Sequence, residues 1–465
     1  YRELRSELSD YVYRSLSDTE VILAAYSKWG EDCVHRLRGM FSFVIWDRAN
    51  SKLFCARDRF GIKQLYFCAS SERLYLASEI KGIIAAGIEP KPNNQAWADY
   101  LVHGYSDHTD QTFFQGIYGL KAGHTLTIDV LTSDLTGPKC TFSRYYDLRS
   151  HTQIEKPLDD DATIRDFRRK FYESIHHHMR SDVPVAISLS EGLDSNALYH
   201  AVSMINKESP ISATFNFDNP PEGRFVEESA AMMRYMEAPY GGISTLAYAG
   251  LHAKVALSGI KVVLEGQCAD ELFGGYAYYQ MPGDNLYQDG TKHLRVSDMD
   301  PEITAMSNYI PIEPVYSDEL KNRCYHDLIH TKVPRVLRMN DRLSMAFGVE
   351  LRVPYLDHPL VEFAFSLASD YRIRDGVGKW ILREAMKGIV PDDIRTAPKI
   401  ADATPQRQWL REPIWKEFIG DTIHSKAFDR GFFDIPQVRS LFQDFCKKGS
   451  NNSFFVWQWV MVDMW

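Results

Sequence analysis

The first third of the chain is patterned as short, largely apolar strands. Met40-Phe41-Ser42-Phe43-Val44-Ile45-Trp46 and Leu53-Phe54-Cys55-Ala56-Arg57 flank Asp47 to Lys52, a stretch with turn chemistry. A β-rich layer is predicted there. Ahead of it Ser17 or Asp18 can cap a short helix through Val21-Ile22-Leu23-Ala24-Ala25-Tyr26, which would pack on that sheet. From Leu148 to Asp161 the pattern turns polar and aperiodic, with Lys156-Pro157 and the run Asp159-Asp160-Asp161. A boundary belongs there, giving a first domain over 1–147, a linker over 148–162 and a second domain over 163–465.

Beyond the boundary the period changes. Ile164, Phe167, Phe171 and Ile175 share a helical face, and Val183 to Leu189 reads as a buried strand. Ile211 to Phe217 and Lys261 to Leu264 are two more apolar runs, with helical stretches between them. Strands alternating with helices predict an α/β domain with a parallel sheet. Ligands of such sheets sit at the carboxyl ends of the strands, so chemistry is expected just after Leu189, Phe217 and Leu264.

Composition narrows the class without naming a reaction. The chain has 465 residues and no repeat, which favours two or more domains, and 45% hydrophobic with 25% charged residues is the balance of an ordinary globular protein. Net charge is −9 with basic residues spread along the chain, which argues against a nucleic acid as the main partner. Apolar stretches such as Phe43 to Trp46 are too short to cross a bilayer, and Tyr1-Arg2-Glu3-Leu4-Arg5 does not read as a signal peptide. No membrane partner and a cytoplasmic location are expected. Seven cysteines without a CxxC pair indicate reduced thiols rather than a disulfide framework or a zinc ribbon.

Two segments carry the candidate chemistry. Ser188-Leu189-Ser190-Glu191-Gly192-Leu193-Asp194-Ser195-Asn196 places hydroxyls, a glycine and an acid in a strand-to-helix turn, where backbone N–H groups can receive the phosphates of a nucleotide. A plainly capped helix, with Ser190 or Asp194 as the cap, is the alternative. Val262 to Tyr276 again ends a strand with small residues and then an acidic pair, Asp270-Glu271. That suits a magnesium nucleotide, since magnesium takes oxygen ligands from one or two carboxylates plus phosphates. An acidic helix start is the competing reading, weakened because Gly274-Gly275 would end any helix at once.

Together these segments resemble the pyrophosphatase-loop ligases, whose loop Ser-Gly-Gly-x-Asp-Ser is met here as Ser190-Glu191-Gly192-Leu193-Asp194-Ser195. The stretch from Asp341-Arg342-Leu343-Ser344-Met345-Ala346 through Glu350-Leu351-Arg352-Val353-Pro354-Tyr355-Leu356-Asp357-His358, and Lys379-Trp380-Ile381-Leu382-Arg383-Glu384-Ala385, are similar to the signatures of the asparagine synthetase family. Arg38-Gly39-Met40-Phe41-Ser42-Phe43 and Arg57 to Tyr66 look like the later half of that family's glutaminase domain. The resemblance implies an α+β sandwich-type glutaminase domain, incomplete at its start, followed by an α/β parallel-sheet pyrophosphatase-loop ligase domain. The family's nucleophile is an amino-terminal cysteine, whereas this sequence opens on Tyr1; of the glutamine pocket only Asp18 matches.

What the resemblance implies is a glutamine-dependent amide ligase that activates a carboxylate with ATP as an acyl-adenylate and passes ammonia to it, aspartate being the first choice of acceptor. Its partners would be glutamine, ATP and the carboxylate acceptor, and its cofactors ATP and Mg2+. Asp194 and Asp270 would hold the metal. Leu189, Ser190, Glu191, Gly192, Asp194, Ser195, Phe217, Glu265 and Gly266 would line the nucleotide pocket, with Lys379, Lys399 and Gln267 at the chemistry and Asp18 at glutamine.

Three departures qualify this. At Glu191 the family has glycine, and a carboxylate about 4 Å from a phosphate would cost roughly 4 kcal/mol per charge pair at an effective dielectric near 20. At Gln267 the asparagine synthetases carry a glutamate, and an amide cannot ionise as a general base. That favours a different carboxylate acceptor, such as a sugar acid or a natural-product intermediate, and Glu191 leaves a non-catalytic paralogue as a third reading. Between Phe217 and Glu237-Ala238-Pro239 there is room for one helix only, several tens of residues short of the family pattern. His176-His177-His178 is expected to be structural, because adjacent helical positions point in different directions. The tail Phe454 to Met461 reads as a core helix, or as the contact of a homodimer.

Overall fold

The computed structural model describes residues 1–70, 73–129, 139–152, 159–214, 225–281, 298–399, 405–426, 428–447 and 452–465. The chain divides into two compact units: Tyr1–Pro90 with Gly116–His151, and Lys91–Gln115 with Thr152–Trp465.

The first unit is built on antiparallel strands β1 (Ser42–Asp47), β2 (Lys52–Arg57), β3 (Tyr66–Ala69), β4 (Leu74–Ala77), β5 (Tyr118–Gly119), β6 (His124–Asp129) and β7 (Lys139–Arg144). They form two sheets, β1-β2-β6-β7 and β4-β3-β5. The two expected strands pair antiparallel across their turn, which is tied by the Asn50 N–H donating to Asp47 Oδ1 at 3.1 Å. Because strand side chains alternate, the larger sheet serves two cores. Cys55, Leu126 and Ile128 pack with Leu65, Phe67 and Leu120, while Ile45, Phe54 and Ala56 pack with Ala24 and Ala25 of the helix Asp18–Trp29. Ser17 caps that helix, its hydroxyl accepting from the Thr19 N–H at 3.1 Å. Asp58, buried, accepts the N–H groups of Phe41, Phe60, Ile62 and Lys63 at 2.9–3.3 Å, which fixes the loop that leaves β2.

The second unit carries the parallel sheet. Its strands β8 (Val185–Ser188), β9 (Ile211–Ala213), β10 (Val262–Leu264) and β11 (Glu350–Arg352) run in the order β11-β10-β8-β9. All three pairings are parallel, with Ile187 opposite Leu264 on one side and Ser212 on the other. The connection from β8 runs to one neighbour and β10 lies on the other side, so the order reverses between β8 and β10. That reversal opens a crevice at their carboxyl ends. The helix Asp160–His178 turns Phe167, Phe171 and Ile175 fully inward, while Ile164 is only half-buried because Thr163 takes the inner position. The strand expected over Ile211 to Phe217 ends at Ala213, and Phe217 itself lies outside the described residues.

The segment Lys91–Gln115, which a boundary near 148 leaves in the first domain, belongs to this second unit. The reason is apolar burial. Its helix Asn94–His103 buries Trp97, Tyr100 and Leu101 in the same core as the tail helix Phe454–Met464, with Trp97 and Trp465 ring centroids 5.3 Å apart. The Gln458 amide donates to the Tyr100 carbonyl at 2.8 Å. Phe455, Trp457 and Trp459 are at most 2% exposed, as expected of a helix apolar all round. All seven cysteines are free thiols. Among the described residues no helix is long and apolar enough to cross a membrane.

Candidate active site

The turn after β8 is organised by polar side chains. It passes through Leu189, Ser190 and Glu191 into the helix Leu193–Asn206, whose N-cap is Gly192. Ser195 Oγ accepts from the Ser190 N–H at 3.0 Å and lies 2.9 Å from Ser190 Oγ. The Asn196 amide donates to the carbonyls of Ser190 and Gly192 at 2.9 and 2.8 Å. Side chains thus tie the turn to the first turn of the helix, whose N–H groups form a site for anions.

The turn after β10 is organised by close packing. A Cβ on Gly266 would stand 3.1 Å from both Asp194 Cβ and the Ser195 nitrogen, so any side chain there would push the two turns apart by a few tenths of an ångström. Cys268 takes the left-handed conformation, φ 75°, before the helix Ala269–Phe273, and Gly274 ends that helix at φ 67°. A Cβ on the next residue, Gly275, would overlap Asp270 Oδ1 and Lys379 Cε.

Two lysines close the site. Lys379 precedes the helix Trp380–Ala385 and is 4% exposed. Its ammonium lies 2.7 and 2.6 Å from Asp194 Oδ1 and Oδ2 and 2.6 Å from Asp270 Oδ1. Lys399 Nζ pairs with Asp270 Oδ2. The four groups form a chain of alternating charge, Asp194–Lys379–Asp270–Lys399.

Burial and pairing compete along that chain. Burial works against charged Lys379, but Asp194 and Asp270 outweigh it and hold the lysine above its ordinary pKa. Asp270, equally buried, is drawn below the usual carboxylate value by its two lysines, whereas at Asp194 burial prevails and raises it. Around them burial pushes Glu265 up to about 7, against a hydrogen bond from the Asn340 amide at 3.0 Å, and Glu271 up to about 7. The Cys268 thiol is raised well above 9 by burial and by the carboxylates beside it, so it stays protonated and weakly nucleophilic.

These groups line a single cavity of about 900 Å³. Leu189, Ser190, Glu191, Gly192, Asp194, Ser195, Glu265, Gly266, Gln267, Asp270, Lys379 and Lys399 are all in its wall, so the expected ligase-side residues converge, Phe217 lying outside the described residues. Glu191 is exposed, and in water-like surroundings its repulsion of a phosphate 4 Å away falls to about 1 kcal/mol. Gln267 is half-buried. Asp18 is exposed on the first unit and accepts from the Thr19 N–H at 2.8 Å.

The donor set fits magnesium. One ammonium reaches both Asp194 and Asp270, so the two carboxylates converge on a point the size of a cation. Among the described residues no group of three or more His, Cys, Asp or Glu side chains gathers as a metal site, so two carboxylates are what the protein would offer here. In the histidine run, His178 turns Nδ1 to the Ser174 carbonyl at 2.8 Å.

Tyr276, Thr214 and Tyr248 also line the cavity and were not singled out by the sequence pattern. Thr214 Oγ1 donates to the Leu189 carbonyl at 2.8 Å, and the Tyr276 hydroxyl donates to Glu271 Oε1 at 2.8 Å. Tyr276 directly follows the double glycine, which is the one local signal that could have pointed to it.

The asparagine synthase family model matches residues 166–234 and 221–465, and a glutamine amidotransferase domain model matches residues 1–138. The chain is 27% identical to the glutamine-hydrolyzing asparagine synthetase 1 of Bacillus subtilis over 544 aligned positions, covering 100% of this chain and 83% of that one. It is 28% identical to asparagine synthetase 3 of the same organism, covering 84% of this chain and 72% of that one. The amidase chry2 of Gibberella zeae is 26% identical, covering 93% and 80%. The two stretches of the family match overlap at 221–234, where the chain has room for the helix Phe225–Met236 alone, and the alignment of 544 positions exceeds the 465 residues. A solved Bacillus subtilis glutamine phosphoribosylpyrophosphate amidotransferase reaches a TM-score of 0.21 at 12% identity, covering 59% of this chain and 55% of that one, too slight a likeness to bear on the fold. With an asparagine synthase model matched across most of its length and a glutamine amidotransferase domain before it, the chain belongs to the asparagine synthase family and is an asparagine-synthase-like ligase.

Proposed function

We propose that this ligase makes asparagine from aspartate, through an aspartyl-adenylate, with nitrogen taken from glutamine. The observation that carries the reading is the chain Asp194–Lys379–Asp270–Lys399 at the carboxyl ends of β8 and β10. ATP is the nucleotide of the family. In this reading the turn Ser190–Ser195 receives its phosphates, and Leu189, Glu265 and Gly266 border the nucleoside.

The acceptor carboxylate attacks the α-phosphorus; the bond to the bridging oxygen breaks and pyrophosphate leaves. Lys379 and Lys399 meet the negative charge that grows on the departing pyrophosphate, where donors already in place give most. Asp194 and Asp270 would hold Mg2+, which when bound supplies further neutralisation of phosphate charge. Ammonia then attacks the acyl carbon, AMP leaves, and a proton is released. Ammonia would come from glutamine by attack of the family's amino-terminal cysteine thiol on the side-chain amide, with Asp18 of the first domain holding the amino group of glutamine.

A second acceptor is favoured by one observation. Gln267 stands half-buried in the wall where the family's glutamate would work, and it cannot take a proton. ATP–pyrophosphate exchange, run with L-aspartate and then with a panel of sugar acids and aryl or alkyl carboxylates, separates the readings. Exchange with aspartate, lost in Asp270→Asn, is the expected result. Exchange only with another acid would remove aspartate and keep the adenylate, and exchange with none would sink the proposal as a whole.

A further inference from the structure

We propose that Tyr276 is a positioning residue, whose ring face holds the Lys399 ammonium in its working place. The proposal rests on the reading of Lys399 given above and adds to it how that side chain is aimed.

Lys399 is the less constrained of the two lysines. Its side chain is 36% exposed, against 5% for Lys379, and it reaches the cavity from a loop beyond the helix Asp392–Arg395. An ammonium group is a compact charge on a flexible four-carbon stem, and one ion pair fixes its distance from a partner but not its direction. Asp270, moreover, already shares its other oxygen with Lys379. A second contact is needed to fix the direction. The structure supplies one: Lys399 Nζ lies 5.3 Å from the centroid of the Tyr276 ring, within the range over which a ring face attracts a cation.

The ring is built to stay still. Its hydroxyl donates to buried Glu271 Oε1 at 2.8 Å. It stacks on Tyr278 at 5.1 Å with 13° between the planes, and Lys332 Nζ sits 3.4 Å from its centroid. Tyr278 and Tyr279 are held in turn by their hydroxyls donating to buried Asp327 Oδ2 at 2.6 and 2.8 Å. A locked aromatic wall therefore backs the lysine. Asp270 sets how far Lys399 reaches, and Tyr276 sets where it points.

The test replaces the ring electronics and keeps its shape. Phenylalanine and its mono-, di- and trifluorinated forms are placed at position 276 in the full chain; fluorine drains the negative face of the ring with little change in volume, so unfolding midpoints should agree within the series. Turnover in pyrophosphate exchange, using L-aspartate or the best acid of the panel, should fall stepwise by about tenfold from phenylalanine to the trifluoro form, with KM for ATP unmoved. Repeating the series in a Lys332→Met background separates the two cations at the ring. The slope persists if Lys399 is the cation that matters, and its disappearance there would overturn the proposal. Flat turnover across the series would also overturn it.

A second readout needs no acceptor. With lysines carrying 13C-methyl groups, the Lys399 resonance, identified by its loss in Lys399→Arg, should be displaced by the ring current and should return toward the solvent position in Tyr276→Leu. An undisplaced or unmoved resonance overturns the proposal. Full turnover in Lys399→Ala would instead bring down the catalytic reading of that lysine, while a dead Lys399→Ala protein with a flat fluorine series would bring down the positioning role alone.

Discussion

The turns after β8 and β10 deliver one carboxylate each to the same lysine, yet they are held by different forces. In the first, Ser190, Ser195 and Asn196 fold the backbone through hydrogen bonds of 2.8–3.2 Å. In the second, Gly266 packs tightly on the first turn and Gly275 leaves space that Asp270 and Lys379 fill, while Cys268 sits in the left-handed region that favours glycine. Ser195 and Asn196 are buried, and each of their hydrogen bonds contributes about 1 kcal/mol, for which the remaining bonds of the turn can substitute in holding the backbone. Steric fit has no such substitute. Change in the hydrogen bonds of the first turn should therefore be tolerated better than change at the glycines of the second, Gly266 packing on Asp194 and Gly275 on Asp270.

The largest effect is expected at Asp270 itself. Asp270→Asn removes one of the two carboxylates that hold buried Lys379, which keeps Asp194, and the loss of a hydrogen bond between charged groups costs about 1.5–3 kcal/mol. Urea unfolding should register that loss together with the absence of pyrophosphate exchange, and an unchanged midpoint would mean the pair is not buried in solution. Next comes Gly275→Ala, whose added methyl must displace Asp270 or Lys379. A shift near 1 Å in catalytic groups costs on the order of a hundredfold in turnover, to be read as kcat in the exchange assay. Activity within threefold of the native protein would show that the second turn yields more easily than its packing implies.

A third effect is a pH dependence of stability. Burial raises the folded pKa of Glu265 to about 7 from 4.5, so the folded state holds a proton that the unfolded chain has released. A group raised in this way favours folding below pH 4.5 and loses that contribution as pH rises toward 7. Glu265→Gln should accordingly be more stable than the native protein at pH 8, by no more than about 3 kcal/mol, with the difference shrinking toward pH 5. Thermal unfolding across that range checks the sign, and an advantage that grows at low pH would contradict it. The smallest effect is Ser195→Ala. It removes the hydroxyl that ties Ser190 to Gly192, at about 1 kcal/mol of stability, with KM for ATP raised a few-fold and kcat close to native. A loss in Ser195→Ala as large as that in Gly275→Ala would erase the distinction between the turns.

What was legible in the sequence was local. Apolar runs at Val185–Ser188 and Val262–Leu264 announced buried parallel strands, and Ser190, Gly192 and Gly274 announced the turns that follow. The motif resemblance added Lys379, Lys399, Asp194 and Asp270 as candidates. Of the apolar run from Ile211 to Phe217, Ile211–Ala213 is strand and Thr214 is not, the remainder lying outside the described residues, because an apolar run does not mark the point where the ladder ends.

Which groups meet was decided only by the tertiary structure. Lys379 and Asp194 stand 185 positions apart, and nothing in either local pattern says that one ammonium will serve both carboxylates. Nor does the pattern around Asn94–His103 say that this helix, flanked by segments of the first unit, will bury Trp97 against the tail of the second. Tyr276 looked like the end of a motif, and its ring acquired a neighbour in Lys399 only because the loop after Asp392–Arg395 returns to it. Period and turn chemistry act over a few residues and are written in order along the chain. Ion pairs, ring contacts and shared cores depend on the distances that remain once the sheet has closed, and those distances are properties of the folded whole.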